Sequence, residues 1–413
     1  MIQRHPRLLL AFFLLINIIA YIDRSMLLGF SPQITRDLAL TNTQYGFLSG
    51  MVWVFSYSAM VLVFGVLADR VSRTRLIAVG LLVWSACTAA SGLAQDFGHM
   101  VAARLIVASG EAALVPSATA LLADLFDPRR RSSAHGLFFT GIPLGVGLSY
   151  VLSGTIGADF GWRHTFLGLG VLGVACAIPL WFIEDTLSGQ SRQHVPAKRP
   201  TAGAILRELA ARPAVLFTIL GVILVHLAMA EFSFLQLWLV RERGADPAEL
   251  ARRIGLLQIL FGCLGAASGG WCADRLAARS RKGLALFPVL ILAVCVPIMF
   301  VSRFATLSSP LPYAGIAASA FLAFGIYGGS FAMIQSSVPN WMRSTVVGIA
   351  MMLLNIFAIS LGTLGAGYVS DRLAQAGNRT PLTLVLACLD LCIGLAIVAY
   401  LAAAKTMPKE AFE

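Results

Sequence analysis

Residues 65–73 read Gly65-Val66-Leu67-Ala68-Asp69-Arg70-Val71-Ser72-Arg73, and residues 270–279 read Gly270-Trp271-Cys272-Ala273-Asp274-Arg275-Leu276-Ala277-Ala278-Arg279. Both open on glycine, carry Ala-Asp-Arg at the same offset and close on further basic residues. The first copy follows the second long apolar run of the chain, and the second follows the eighth. A signature repeated at positions two and eight is what a duplicated six-helix unit requires. Glycine there lets helices approach, and an aspartate at a helix end can pair with basic groups or cap a facing helix. Gly65, Asp69, Arg70, Arg73, Gly270, Asp274 and Arg275 are therefore the candidate gating residues, in contacts suited to being made and broken between two states.

The runs around these motifs are long. A helix needs about 20 largely apolar residues to cross a bilayer core. Runs of that kind start at Leu8, Thr43, Leu76, Met100, Ala134 and Thr165, and again at Ala214, Gly255, Leu284, Pro312, Thr345 and Pro381. The chain of 413 residues is 58% hydrophobic and 12% charged, whereas a soluble domain carries about 25% charged residues. That much charge cannot cover a water-soluble surface. Between the two sets of runs lies a polar stretch from about Glu184 to Arg212, with Gly189-Gln190-Ser191-Arg192 and Lys198-Arg199-Pro200. Its composition reads as a solvated linker. The expected architecture is an all-α membrane protein of twelve transmembrane helices in two pseudo-symmetric six-helix bundles. Their bounds are 1–185 and 213–413, joined by a cytoplasmic linker over 186–212.

The net charge of +11 is mostly a topology signal. With the N-terminus inside, loops on the cytoplasmic side hold about 20 Lys and Arg and those outside about 9. Nucleic-acid binding would gather the basic residues on one water-facing surface. Arg4 and Arg7 before the run Leu8 to Ala20 resemble a signal peptide, but Asp23-Arg24 stands where a cleavage pattern would be, so the segment reads as a retained first span. The seven cysteines show no paired spacing, and neither a disulfide framework nor a metal site is expected. No phosphate-binding loop and no His-Glu-x-x-His element is present, which argues against ATP as energy source and against a zinc protease.

Ionisable residues inside the spans carry the functional argument. The first span contains Asn17-Ile18-Ile19-Ala20-Tyr21-Ile22-Asp23-Arg24-Ser25, and the fourth contains Ala103-Arg104-Leu105-Ile106-Val107-Ala108-Ser109-Gly110-Glu111-Ala112. Each central Asp, Lys or Arg costs about 2.5–3.5 kcal/mol to insert. Asp23 and Arg104 lie at similar depths, roughly 8–10 Å below the outer ends of their spans at 1.5 Å per residue. Glu111 follows Arg104 by two helical turns, on the same face and about 10 Å deeper. The expectation is that Asp23 and Glu111 carry a proton while Arg24 and Arg104 hold an anionic group. For Asp23 and Arg104 the alternative is a structural ion pair. Tyr21, Trp53, Tyr57, Tyr327, Gln335 and Asn355 are candidates to line the cavity. Glu231 is a further candidate for the binding site, as a second titratable group or as a partner of His226. The role of Asp390 is open.

Residues 65–75 resemble the loop motif of the major facilitator superfamily, with Ser72 where that family usually has glycine. Tyr21-Ile22-Asp23-Arg24 together with Arg104 and Glu111 is similar to the spinster branch, and the anion:cation symporter branch shares these positions. Three stretches of the C-terminal half look like spinster signatures: Gly269 to Leu276, Val338 to Thr345, and Leu361 to Asp371. The resemblance implies two bundles rocking about a central cavity and secondary active transport by alternating access. It associates the span-one acid and the span-four glutamate with proton coupling. The implied substrate is an organic anion or a lysolipid-like amphiphile. The alternatives are uptake of a sugar acid or aromatic carboxylate, and proton-driven efflux of drugs or metabolites. No cofactor is expected beyond a proton gradient, and the expected partners are a small-molecule substrate and the lipid bilayer. The chain is expected to be a monomer in the inner (plasma) membrane with both termini cytoplasmic.

Overall fold

The computed structural model describes residues 6–68, 70–183, 202–279, 283–339 and 342–407. Twelve helices among them are long and apolar enough to cross a membrane. The first six are α1 (Pro6–Gly29), α2 (Asn42–Ala68), α3 (Arg73–Gly92), α4 (Phe97–Leu125), α5 (Ser133–Gly154) and α6 (Ile156–Trp181). The second six are α7 (Pro213–Arg243), α8 (Pro247–Ala273), α9 (Gly283–Ser302), α10 (Leu311–Ser336), α11 (Thr345–Gln375) and α12 (Pro381–Thr406). Two spans start well before their apolar runs. α6 opens at Ile156 rather than Thr165, and α8 at Pro247 rather than Gly255. α8 carries Glu249, Arg252 and Arg253 in its first two turns, and helical hydrogen bonding continues through them where hydropathy stops. α6 is two helical pieces meeting at a kink, where Gly161 has φ 75° and ψ 168°, just before Arg163 and His164.

The chain forms two compact units, Met1–Val195 with Asp246–Leu256, and Pro196–Ala245 with Leu257–Glu413. In the first, Leu9, Phe13 and Ile16 of α1 pack with Ile77, Leu81 and Trp84 of α3, Val107, Leu114 and Leu121 of α4, and Phe138 of α5. In the second, Val225 of α7, Leu292 and Met299 of α9, Leu322 and Met333 of α10, and Ile393 and Tyr400 of α12 form the main core.

The solvated linker is corrected in part. Residues 184–201 lie outside the described set, but Ala202–Ala210 is a helix. Leu209 is buried and Ile205 half-buried against Val215, Ile219, Ile334 and Met342. Ala-Ile-Leu-Arg-Glu-Leu is a sequence of helix formers with apolar residues four apart, so this end of the linker has a face to bury. Arg212 then bonds Glu208, and its Nη1 donates to the Ser337 carbonyl at 3.1 Å, closing the end of α10.

Several spans are interrupted. In α4 the helix stops at Glu111 and restarts at Leu114. Pro116 accounts for this: it has no N–H to give the carbonyl of Ala112, and its ring crowds that carbonyl. α2 contains a π-helical turn over Phe47–Met51, just before Trp53, and α11 another over Asn355–Ser360. Span α4 reaches α3 through a glycine crossing. A Cβ on Gly80 would meet the Gly110 carbonyl at 2.7 Å, and one on Gly110 would meet Trp84 at 2.9 Å. Only glycine permits that approach, and it brings Glu111 to the inner side of the unit. Ser72, where the family has glycine, is the N-cap of α3, its hydroxyl facing the Arg75 amide at 3.5 Å.

Candidate functional site

The four ionisable residues of α1 and α4 separate into two groups. Arg104 Nη1 donates to Asp23 Oδ1 at 2.9 Å and Nη2 to the Asp23 carbonyl at 3.2 Å. Thr88 of α3 donates to the other carboxylate oxygen. Asp23 is 1% exposed and Arg104 6%, and the Phe166 ring lies 5.0 Å from the guanidinium. Both oxygens of Asp23 are thus engaged by fixed partners.

Arg24 is one residue on, about 100° further around the helix, and it turns to a different neighbourhood. Its guanidinium lies 3.3 Å from the Trp53 ring centre and 5.8 Å from that of Tyr21. Among the described residues no carboxylate pairs with it. Trp53 stacks on Tyr57 with centroids 4.4 Å apart, and its indole N–H donates to Glu111 Oε2 at 2.7 Å. Glu111 Oε1 is buried without a hydrogen-bond partner. One tryptophan therefore joins a cation on its face to a carboxylate at its edge.

These residues line one narrow cleft with Asn17, Ala20, Leu114 and Val115. Neither Asp23 nor Arg104 lines it. The cleft holds about 40 Å³. Its walls are α1, α2 and α4, with α5 behind: a Cβ on Gly145 would meet Tyr21 Cβ at 2.5 Å, so α5 presses α1 and its Tyr21 into place.

In the second unit Glu231 does not meet His226. The His226 ring contacts the Val222 carbonyl at 2.7 Å and packs edge-on against Tyr327. Glu231 pairs instead with Arg303, as does Asp390. Residues five apart in a helix sit about 140° apart around its axis, which separates Glu231 from His226. Gln335 is exposed and Asn355 half-buried, and Glu231 bonds neither. The structure therefore places Glu231 in an ion-pair cluster rather than beside the other residues assigned to binding.

Of the gating candidates, Arg73 is buried and its Nη1 bonds Asp124 Oδ2 at 2.5 Å, tying the start of α3 to the end of α4. Arg70 and Arg275 are exposed, the latter over the Trp271 ring at 4.0 Å. Asp69 and the side chain of Asp274 lie outside the described residues. Gly65 and Gly270 do not serve the close approach expected of them: nothing lies within 4 Å of a Cβ built on either. The tight glycine packing of this region is at Gly265, whose Cβ would meet the Phe321 carbonyl at 2.5 Å, and at Gly269 against Gly325. Sequence reasoning missed Thr88, Asp124 and Arg303. Thr88 carries no charge to draw notice, and Arg303 stands just beyond α9, where it counts as a loop cation.

The family profile described as Major Facilitator Superfamily matches residues 13–363. This chain belongs to that superfamily. An MFS-type efflux pump of Mycolicibacterium smegmatis is 29% identical over 379 residues, 90% of this chain and 87% of that one. Protein spinster of Drosophila melanogaster is 29% identical over 273 residues, 64% of this chain and 45% of that one. A hexuronate transporter of Bacillus subtilis is 26% identical over 373 residues, 87% of each chain. In fold, the chain matches the crystal structure of a bacterial homolog to the human lysosomal transporter Spinster, in an inward-facing and unoccupied conformation. The TM-score is 0.84 at 21% identity, covering 99% of this chain and 98% of that one. The chain is thus a multi-pass membrane protein of a transporter superfamily and not an enzyme, and it is similar to spinster proteins.

Proposed function

We propose that this transporter is driven by protons and moves an organic anion with an apolar portion, Arg24 holding the anionic group and Glu111 carrying the proton. The observation that supports it is the shared cleft in which Trp53 joins Arg24 to Glu111. Arginine keeps its charge at any accessible pH and is weakly hydrated, so it can stack on an indole and still bind a carboxylate or phosphate in two-pronged fashion. Trp53 and Tyr57 offer the apolar part of a substrate a stacked surface beside the Arg24 guanidinium. An amphiphile or an aromatic acid fits that pairing.

The cleft also gives the coupling a sign. An anion on Arg24 and an ionised Glu111 would face each other at short range in a site with little water, where like charges repel strongly. Protonating Glu111 removes the repulsion. Proton and anion then favour each other's binding, and by linkage the effect is reciprocal. This supports symport. In the same reading Asp23 and Arg104 position α1 against α4, and alternating access exposes the cleft to each side in turn. The bias of basic loop residues supports both termini lying on the cytoplasmic side of the inner (plasma) membrane.

The test is direct. Long-chain phosphate monoesters, sugar acids and aromatic carboxylates are added to the purified protein in weakly buffered detergent solution, and proton uptake is read with binding. A true ligand should take up a proton as it binds, and Arg24→Gln should abolish both. Proton release on binding, or full binding by Arg24→Gln, would contradict the assignment.

A further inference from the structure

The cluster around Arg303 holds more negative charge than its cations balance. Arg303 Nε donates to Asp390 Oδ2 at 2.9 Å and Nη2 to Asp390 Oδ1 at 3.3 Å, so Asp390 occupies the guanidinium fork. Glu231 Oε1 contacts Nη2 of the same guanidinium, so two carboxylates share one cation. All three side chains are buried, with Glu231 1%, Arg303 3% and Asp390 0% exposed.

The surroundings do not supply a second cation for Glu231. Arg243, at the end of α7, spends its Nη2 on the Arg303 carbonyl and lies 5.7 Å from the Trp238 ring centre. Glu242 beside it accepts from the Leu382 and Thr383 amides and the Thr383 hydroxyl, capping α12. Arg241 is exposed. His226, on α7 itself, faces Tyr327. α9 and α10 contain no charged residue, α12 has only Asp390 before Lys405, and α11 has none before Asp371. α11 meets α7 near Gly362 and Ala230, nine residues from Asp371. Two buried carboxylates, Glu231 and Asp390, thus stand against one buried guanidinium, an excess of one negative charge.

We infer that Glu231, Arg303 and Asp390 form a second proton-binding site, in which the two carboxylates share one guanidinium and one proton. Two buried carboxylates on one guanidinium leave a negative charge unbalanced, and burial of an unbalanced charge is costlier than a proton on one of them. Residues of this kind within spans mark proton relays in other transporters. The inference does not depend on Glu111 or on the substrate.

Infrared spectra of the protein in lipid vesicles test it through the carbonyl stretch of a protonated carboxyl group. At neutral pH, Glu231→Gln should remove one such stretch and fold as the wild type does, because glutamine matches the neutral acid in shape and charge. Asp390→Asn should also remove it, since Glu231 then ionises opposite Arg303. In the wild type the stretch should fade reversibly as the pH is raised. An unchanged spectrum in Glu231→Gln would overturn the site, as would failure of that variant to fold. A stretch that persists at every pH where the protein stays folded would overturn its capacity to release the proton.

Discussion

Asp23 and Arg24 are adjacent in sequence and opposite in circumstance. Asp23 is closed in by Arg104 and Thr88, whereas Arg24 lies half-buried on an indole at the edge of a cleft. Their substitutions should differ accordingly. Asp23→Asn leaves Arg104 charged and buried without a counter-ion, and breaking such a pair costs about 3–5 kcal/mol. Thermal unfolding in detergent should show that loss as a clearly lowered midpoint. Arg24→Gln gives up the contacts of a half-buried cation with the Trp53 and Tyr21 rings, each worth up to about 2 kcal/mol, and should leave the midpoint closer to wild type while abolishing anion binding. A larger drop for Arg24→Gln than for Asp23→Asn would reverse the roles assigned to the two. The sequence made all four charges conspicuous, because charge within an apolar run is rare. Their sorting was not legible: it depends on a rotation of one residue around α1 and on Thr88, an uncharged side chain of a third helix.

At the scale of the helix, glycine and capping contacts set where Glu111 and α12 sit. Gly80 and Gly110 bring α3 and α4 into backbone contact, so Gly110→Leu should force them apart. Overpacking of this kind costs about 1–3 kcal/mol, read as a lowered unfolding midpoint, while Gly65→Ala, with open space around it, should leave the midpoint unchanged. Glu242 holds the first turn of α12 from the end of α7. Glu242→Ala should cost about 1–2 kcal/mol, the range for losing a helix N-cap, and hydrogen exchange should rise first at Leu382 and Thr383. Span number was legible from hydropathy alone. The starts of α6 and α8 were not, because α6 is kinked at Gly161 and α8 opens on polar turns, and the helix over Ala202–Ala210 was hidden inside a stretch whose average composition is that of a linker.

For the whole molecule, the duplicated loop motif at Gly65 and Gly270 correctly announced a transporter fold built from a repeated unit. It did not announce that the two units differ in what they do with charge. In the first, an ion pair is set aside from a cleft that keeps a cation and a carboxylate available. In the second, two carboxylates share one guanidinium. Both arrangements rest on residues distant in sequence, Thr88 and Arg303 among them, which no local pattern connects. The account as a whole turns on Glu111 linking proton movement to the substrate. Vesicles containing the wild type and Glu111→Gln, with a pH gradient imposed across the membrane, test that link against substrate exchange measured without a gradient. The account predicts that Glu111→Gln loses gradient-driven accumulation but still exchanges substrate. Accumulation equal to wild type in the variant would contradict it.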